Sequence, residues 1–176
     1  MMLKKIFISI LIILSILVIS CGHNKQKIKE VSATVTKEEK FHDRFVNKKL
    51  LSINMILFDG KETLENKIIL IYTGYDCQSC IDKGYLILKI LHSQNSNQKI
   101  FVISSNTNIS RDQARNNYYD FVYNDEKESL RKELKFIYTP IILVLDKDNC
   151  ILHINFPDTN SDEQEIVDQI NQITNF

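Results

Sequence analysis

Apolar and polar positions along this chain fall into blocks whose period changes several times. Lys67-Ile68-Ile69-Leu70-Ile71-Tyr72 and Lys99-Ile100-Phe101-Val102-Ile103-Ser104 are continuous, β-branched apolar runs, the pattern of strands covered on both faces. Between them, residues 78–93 set Ile81, Tyr85 and Leu88 on one helical stripe, with Ile87 and Leu91 beside it. Ser110-Arg111-Asp112-Gln113 has the capping-box form and predicts a short helix to about Asn117. Asp120 to Tyr123 reads as a short strand, and 126–136 as a helix that turns Leu130, Leu134 and Ile137 inward. Ile141–Leu145 and Ile151–Phe156 are two more strands, joined by the polar turn Asp146-Lys147-Asp148-Asn149. Ser161-Asp162-Glu163-Gln164 repeats the capping box and opens a final helix carrying Ile166, Ile170 and Ile173. Upstream, the apolar stretch Leu50–Phe58 followed by Asp59-Gly60 predicts a β-hairpin over residues 51–63. Helices alternating with buried strands give an α/β fold whose central sheet is mixed: parallel through its crossovers, antiparallel in its closing hairpin.

The N-terminus has a different pattern. Met1 to Ser20 carries Lys4 and Lys5 and then a largely Ile/Leu stretch from Ile6 to Ile19. A short basic segment before such a run is the mark of a secretory signal, and the run is shorter than the ~20 residues a spanning helix needs. It ends at Val18-Ile19-Ser20-Cys21, which resembles the bacterial lipobox. That resemblance implies cleavage after Ser20, lipidation of Cys21 and stable attachment to a membrane through several acyl chains. Residues 21–45 are expected to act as a flexible tether, and 46–176 as the globular domain. His23, inside the tether, has no second ligand near it and reads as solvated spacer. The whole chain of 176 residues balances 22 basic against 22 acidic side chains. Lys4 and Lys5 leave with the signal, so 20 basic residues face 22 acidic ones afterwards. Such a balance argues against a nucleic-acid partner, which selects a basic excess or stripe.

Chemistry concentrates at Cys77-Gln78-Ser79-Cys80. This CxxC directly follows a buried strand and opens a helix, so both thiols lie where unpaired backbone N–H groups and the helix dipole favour a thiolate. The thiolate is the nucleophile, and two intervening residues leave the second sulfur within reach of the first. Cys77 is therefore the expected nucleophile and Cys80 the resolving thiol. Taken alone, a CxxC also fits a zinc site or a structural disulfide. A second feature adds to it: Tyr138-Thr139-Pro140 stands just before strand 141–145, where a Thr-Pro bond can adopt the cis form.

Strand–CxxC–helix followed by Thr-Pro, a β-hairpin and a helix resembles the thioredoxin superfamily over roughly residues 50–176. The Asp59-Gly60-Lys61 turn, the extra element between the redox helix and the proline, and the lipid anchor are similar to its TlpA-like branch of membrane-tethered thiol–disulfide oxidoreductases. The resemblance implies a thioredoxin-like fold and a redox-active pair of Cys77 and Cys80. It also implies Thr139 and Pro140 as the residues that present backbone groups to a bound peptide, in the manner of strand addition. The implied partners are protein thiols and disulfides of a bacterial cell envelope; no cofactor or metal is expected.

The chain also departs from that family. Asp76 stands where Trp is common, and Gln78-Ser79 where a proline is frequent. A carboxylate beside Cys77 is expected to raise its pKa, with Lys83 partly offsetting it. The buried acid that thioredoxins carry six residues before the nucleophile is Ile71 here. Gly84, inside the redox helix, reads as a bend or a close helix–sheet contact. Tyr72, Tyr75, Tyr118 and Tyr119 read as sheet and loop packing. Cys150 lies past strand 141–145, roughly 17 Å from the Pro140 end at about 3.3 Å per residue, and reads as a bystander thiol. Structural zinc would need two further ligands, and His42, His92 and His153 are scattered. A thiol peroxidase fits less well, because Thr73 precedes Cys77 by four residues rather than three and the upstream proline is missing. Two alternatives stay open: a binding module whose CxxC is a static disulfide, and a copper-binding assembly factor using the two cysteines with His153.

Overall fold

The computed structural model describes residues 37–57, 66–105 and 109–174. The signal segment 1–20, Cys21 and the second half of the expected hairpin lie outside them. In chain order the elements are α1 (Lys37–Phe45), α2 (Ser52–Ile56), β1 (Lys67–Tyr72), α3 (Gln78–Gln94), β2 (Lys99–Ser104) and α4 (Ile109–Asn116). They continue with β3 (Val122–Asn124), α5 (Ser129–Glu133), β4 (Ile141–Leu145), β5 (Ile151–Asn155) and α6 (Glu163–Thr174).

The strands form one mixed sheet in the order β3-β2-β1-β4-β5. β1 pairs in parallel with β2, which pairs in parallel with β3, while β4 runs antiparallel to both β1 and β5. The period of two within each apolar run explains why the runs are unbroken. Ile69, Ile71, Phe101, Ile103, Ile141, Leu143 and Leu145 point into one core. Ile68, Leu70, Tyr72, Ile100, Val102, Ile142 and Val144 point into the other. Each strand thus feeds two cores at once, and a polar residue on either face would be buried. Helices α3 and α6 cover one face through Ile81, Tyr85, Leu88 and Leu91, and through Ile166, Val167 and Ile170. The other face is covered by Phe45 of α1, Ile53 of α2, and Leu130, Leu134 and Ile137 in and after α5.

Two expectations need correction. Residues 52–56 are a helical turn, not the first arm of a hairpin. Ile53 and Leu57, four apart, are buried while Leu51 and Met55 are exposed, so the apolar run has helical rather than alternating burial. Glu133 fixes the start of this turn from across the domain, its carboxylate accepting from the N–H groups of Leu51 (2.8 Å) and Ser52 (2.9 Å). Burial pushes the Glu133 carboxyl upward, but these N–H donors outweigh it and hold it below the usual range. The second correction concerns the tether. Residues 37–45, expected within it, form α1, and Phe41 and Phe45 dock one turn apart against the sheet. Phe41 meets Tyr138 at 5.8 Å and Phe156 at 5.8 Å between ring centroids. Two aromatic residues in an otherwise charged segment are too sparse for a periodic signal, yet they suffice to seat one short helix.

The helix caps also differ in detail. Asp162 rather than Ser161 caps α6, its Oδ1 accepting from the N–H groups of Gln164 (2.9 Å) and Glu165 (3.2 Å). Ser110 lies within the first turn of α4 instead of preceding it. Asp125, which the sequence pattern does not single out, caps α5 with both oxygens, accepting from Ser129 and Leu130 at 2.9 Å each.

Candidate active site

The sheet order brings the site together. β1 and β4 are antiparallel neighbours, with Ile71 opposite Ile141. The segment leaving β1 (Thr73–Cys77) and the segment entering β4 (Tyr138–Pro140) therefore emerge side by side at one end of the sheet. Cys150 is at the other end of β4, where it bridges to Lys49 and its N–H is held by Asp146 Oδ1 at 2.8 Å. Its remoteness from the CxxC follows as expected.

Cys77 is the N-cap residue of α3 and is exposed. Its extended backbone (φ −58°, ψ 121°) lets the sulfur fold back over the first turn, where Sγ accepts from the N–H of Cys80 at 3.3 Å. The Ser79 hydroxyl lies 3.0 Å from the same sulfur. Together these groups hold the Cys77 thiol below its ordinary value: foremost the hydrogen bond from the Cys80 thiol, then the Ser79 hydroxyl and the Cys80 N–H. Cys80 is half-buried, and its pKa is pushed up to about 11, first by burial and then by the Cys77 sulfur. One thiol is therefore poised to ionise and the other to stay protonated and donate. Cys77, Cys80 and Cys150 are all unbridged thiols.

Asp76 and Lys83, expected to tune Cys77 in opposite directions, are both occupied elsewhere. The Asp76 carboxylate accepts from the N–H of Thr73 (2.6 Å) through one oxygen and from the Thr139 hydroxyl (2.8 Å) through the other. Lys83 donates to the carbonyls of Ser161 (2.6 Å) and Thr159 (3.2 Å) and pairs with Glu163 at 3.2 Å. Its ammonium thus fastens the loop before α6 to α3. The same loop carries Asp158, whose negative charge adds to the upward shift of Cys80. Sequence reasoning singles out neither Asp158 nor Ser79. Ser79 is visible inside the motif, but nothing in the spacing says that its hydroxyl turns back toward Cys77.

The Thr139–Pro140 peptide bond is cis. The tyrosines separate: Tyr72 and Tyr118 are buried, as expected for packing, whereas Tyr75 is 98% exposed and Tyr119 also faces outward. Tyr72 bonds Asp112 Oδ2 (3.2 Å) and the Tyr85 hydroxyl (3.1 Å), tying β1, α3 and α4 into one buried polar knot. Desolvation raises the Tyr72 phenol to about 12, so it stays a donor. Asp82 reinforces the same junction, pairing with Arg115 at 2.9 Å and accepting from Gln78 (3.1 Å) and Asn116 (3.0 Å). Gly84 lies where α3 crosses β1, and a Cβ there would come within 2.8 Å of Leu70 Cδ1. The glycine thus serves a close helix–sheet contact. Among the described residues, no group of three or more His, Cys, Asp or Glu side chains comes together to hold a metal ion. His153 sits edge-on to His42 of α1, with ring centroids 5.3 Å apart.

No family profile and no curated protein matches the chain by sequence. Solved structures do match it in fold. A cysteine-to-serine mutant of PrxQ from Xylella fastidiosa superposes with a TM-score of 0.55 at 14% identity, covering 72% of this chain and 95% of its own. A putative thiol:disulfide interchange protein DsbE from Chlorobium tepidum gives 0.53 at 13% identity, over 64% and 82% of the two chains. The thioredoxin domain of a Bacteroides vulgatus thiol-disulfide oxidoreductase gives 0.50 at 9% identity, over 64% and 81%. With its five-stranded mixed sheet, helices on both faces and the CxxC at the head of α3, the domain has the thioredoxin-like fold.

Proposed function

We propose that this protein is a thiol–disulfide oxidoreductase of the TlpA-like kind, acting on protein thiols and disulfides outside the cytoplasm. In this reading it is held to a membrane of a bacterial cell envelope by lipid on Cys21 after removal of residues 1–20. One observation carries the redox reading: an exposed, low-pKa Cys77 at a helix N-cap, three residues from a half-buried, high-pKa Cys80. The Cys77 thiolate attacks one sulfur of a substrate disulfide, forming a mixed disulfide and expelling the other sulfur as a thiolate. Cys80 then gives up its proton and attacks the Cys77 sulfur. The substrate leaves with two electrons as a dithiol, and Cys77–Cys80 remains as a disulfide. Run backwards, the same steps oxidise a dithiol, and the potential of the pair sets the direction.

The lowered pKa has a directional consequence. A thiolate is fully available above its pKa and disappears as pH falls through it, so Cys77 should stay reactive at a pH where an ordinary thiol has already slowed. Iodoacetamide labelling of the reduced protein, followed by mass spectrometry from pH 4 to 9 (about the span over which protein thiolates titrate), should give a Cys77 midpoint below that of an ordinary thiol. Ser79→Ala should move that midpoint upward, because it removes one of the donors. A Cys77 midpoint no lower than that of free glutathione labelled alongside would refute the activated-thiol reading.

A further inference from the structure

The carboxylate beside the nucleophile has a job that thiol chemistry alone does not give it. We propose that Asp76 is a positioning residue that latches the Thr139–Pro140 turn to the redox loop and so fixes the cleft in which a peptide flanking the target disulfide must lie. The inference rests on Cys77 being the nucleophile and adds to that reading.

The latch joins residues 63 apart in sequence. Asp76 is anchored on its own side twice: Oδ2 accepts from the Thr73 N–H at 2.6 Å, and its N–H donates to the Thr73 carbonyl at 3.3 Å. Thr73 is itself buried at the end of β1, and its hydroxyl takes the Tyr75 N–H at 3.2 Å. The second carboxylate oxygen is thereby aimed across the gap, where it accepts from the Thr139 hydroxyl at 2.8 Å. Cys77 follows Asp76 directly and Pro140 follows Thr139, so this bond sets the spacing between the nucleophile and the turn beside it. A carboxylate suits the position because both of its partners are donors and it offers only acceptors. Asn keeps both bonds possible, its carbonyl taking the Thr73 N–H and its amide donating to the Thr139 oxygen. Ala keeps neither.

The test follows turnover of a synthetic peptide closed by a single disulfide, with dithiothreitol as the recycling reductant. In parallel it follows single-turnover reaction of the pre-reduced, reductant-free protein with the small aromatic disulfide 5,5′-dithiobis(2-nitrobenzoate), which needs no peptide-binding cleft. Asp76→Ala should raise KM for the peptide roughly tenfold with kcat nearly kept, as expected when a binding geometry is loosened. Thr139→Val should do the same, and the double variant should be no worse than either single one, because one bond is lost in each case. Asp76→Asn should restore peptide KM to within about threefold of the starting protein. Reaction with the small disulfide should be affected far less than reaction with the peptide, and a cooperative denaturant transition shows that Asp76→Ala is folded. Additive losses in the double variant, equal losses for Asn and Ala, or an unchanged peptide KM would overturn the latch. A starting protein whose reaction with either disulfide does not depend on Cys77 would overturn the redox reading itself, and the latch with it.

Discussion

In the proposed exchange, replacing Cys80 with Ala should convert the protein from a catalyst into a trap. The Cys77 thiolate still attacks a substrate disulfide, but among the described residues no second thiol stands within reach to displace it. Cys150 cannot substitute, since it bridges to Lys49 at the far end of β4. Mixed disulfides should therefore accumulate on Cys80→Ala and run as higher-mass species on non-reducing gels, collapsing when a reductant is added. Cys77→Ala should show none, and its turnover should fall by on the order of a hundredfold or more, as expected for loss of a nucleophile. Cys80 also supplies the largest single contribution to the low Cys77 pKa. The trap should accordingly react more slowly than the starting protein near neutral pH while holding its product far longer. If the Cys77→Ala control traps the same species, the assignment of roles within the pair is wrong.

The second large effect is expected under α3. Gly84 leaves no room for a side chain: a Cβ would meet Leu70 Cδ1 at 2.8 Å and Cδ2 at 3.1 Å, and Leu70 is fully buried between β2 and β4. Gly84→Val gains a few tenths of a kcal/mol in helix propensity, against an overpacking cost of about 1–3 kcal/mol. Overpacking wins, and the variant is destabilised. Leu70→Ala opens the opposite defect, a cavity costing about 2–5 kcal/mol. Because the two side chains compete for one volume, the double variant should lose less than the two singles added together, by about 0.5 kcal/mol or more. Denaturant unfolding of the four proteins measures this directly. Strict additivity would mean that α3 does not press on Leu70, and that the glycine serves some other purpose. The contact bears on function because α3 carries Cys77 at its N-cap and Cys80 in its first turn. A helix lifted off β1 takes Cys77 away from Thr139.

What could be read in the sequence and what could not divides along physical lines. β1, β2 and β4 begin and end where their apolar runs do, because a strand buried on both faces has no polar alternation to blur its limits. The α3 stripe is equally plain, since five buried apolar positions at helical spacing leave little freedom. The chain before β1 is harder. Residues 52–57 are short enough for strand and helix patterns to coincide, and the bonds from Glu133 that settle the matter come from a residue some eighty positions away. α1 escapes notice because Phe41 and Phe45, which dock in the core, stand among charged neighbours.

The site divides in the same way. Cys77, Cys80, Thr139 and Pro140 are legible as a spacing, and the fold brings them to one end of the sheet. The partners of Asp76 and Lys83 are not legible. A carboxylate next to a cysteine in sequence suggests a local electrostatic effect, yet its oxygens turn to Thr73 and Thr139. The lysine one turn past Cys80 likewise serves the Thr159–Glu163 loop. Proximity along the chain sets the expected partner in both cases, and hydrogen-bond donors and acceptors delivered by tertiary structure set the actual one.

The reduction potential of the Cys77–Cys80 pair tests the central claim most directly. Equilibrating the protein in glutathione and dithiothreitol buffers, and reading the thiol fraction by mass after alkylation, gives it in one titration. A pair that exchanges disulfides with proteins should fall between about −270 and −120 mV. A value below about −300 mV would mark a static disulfide and contradict the account.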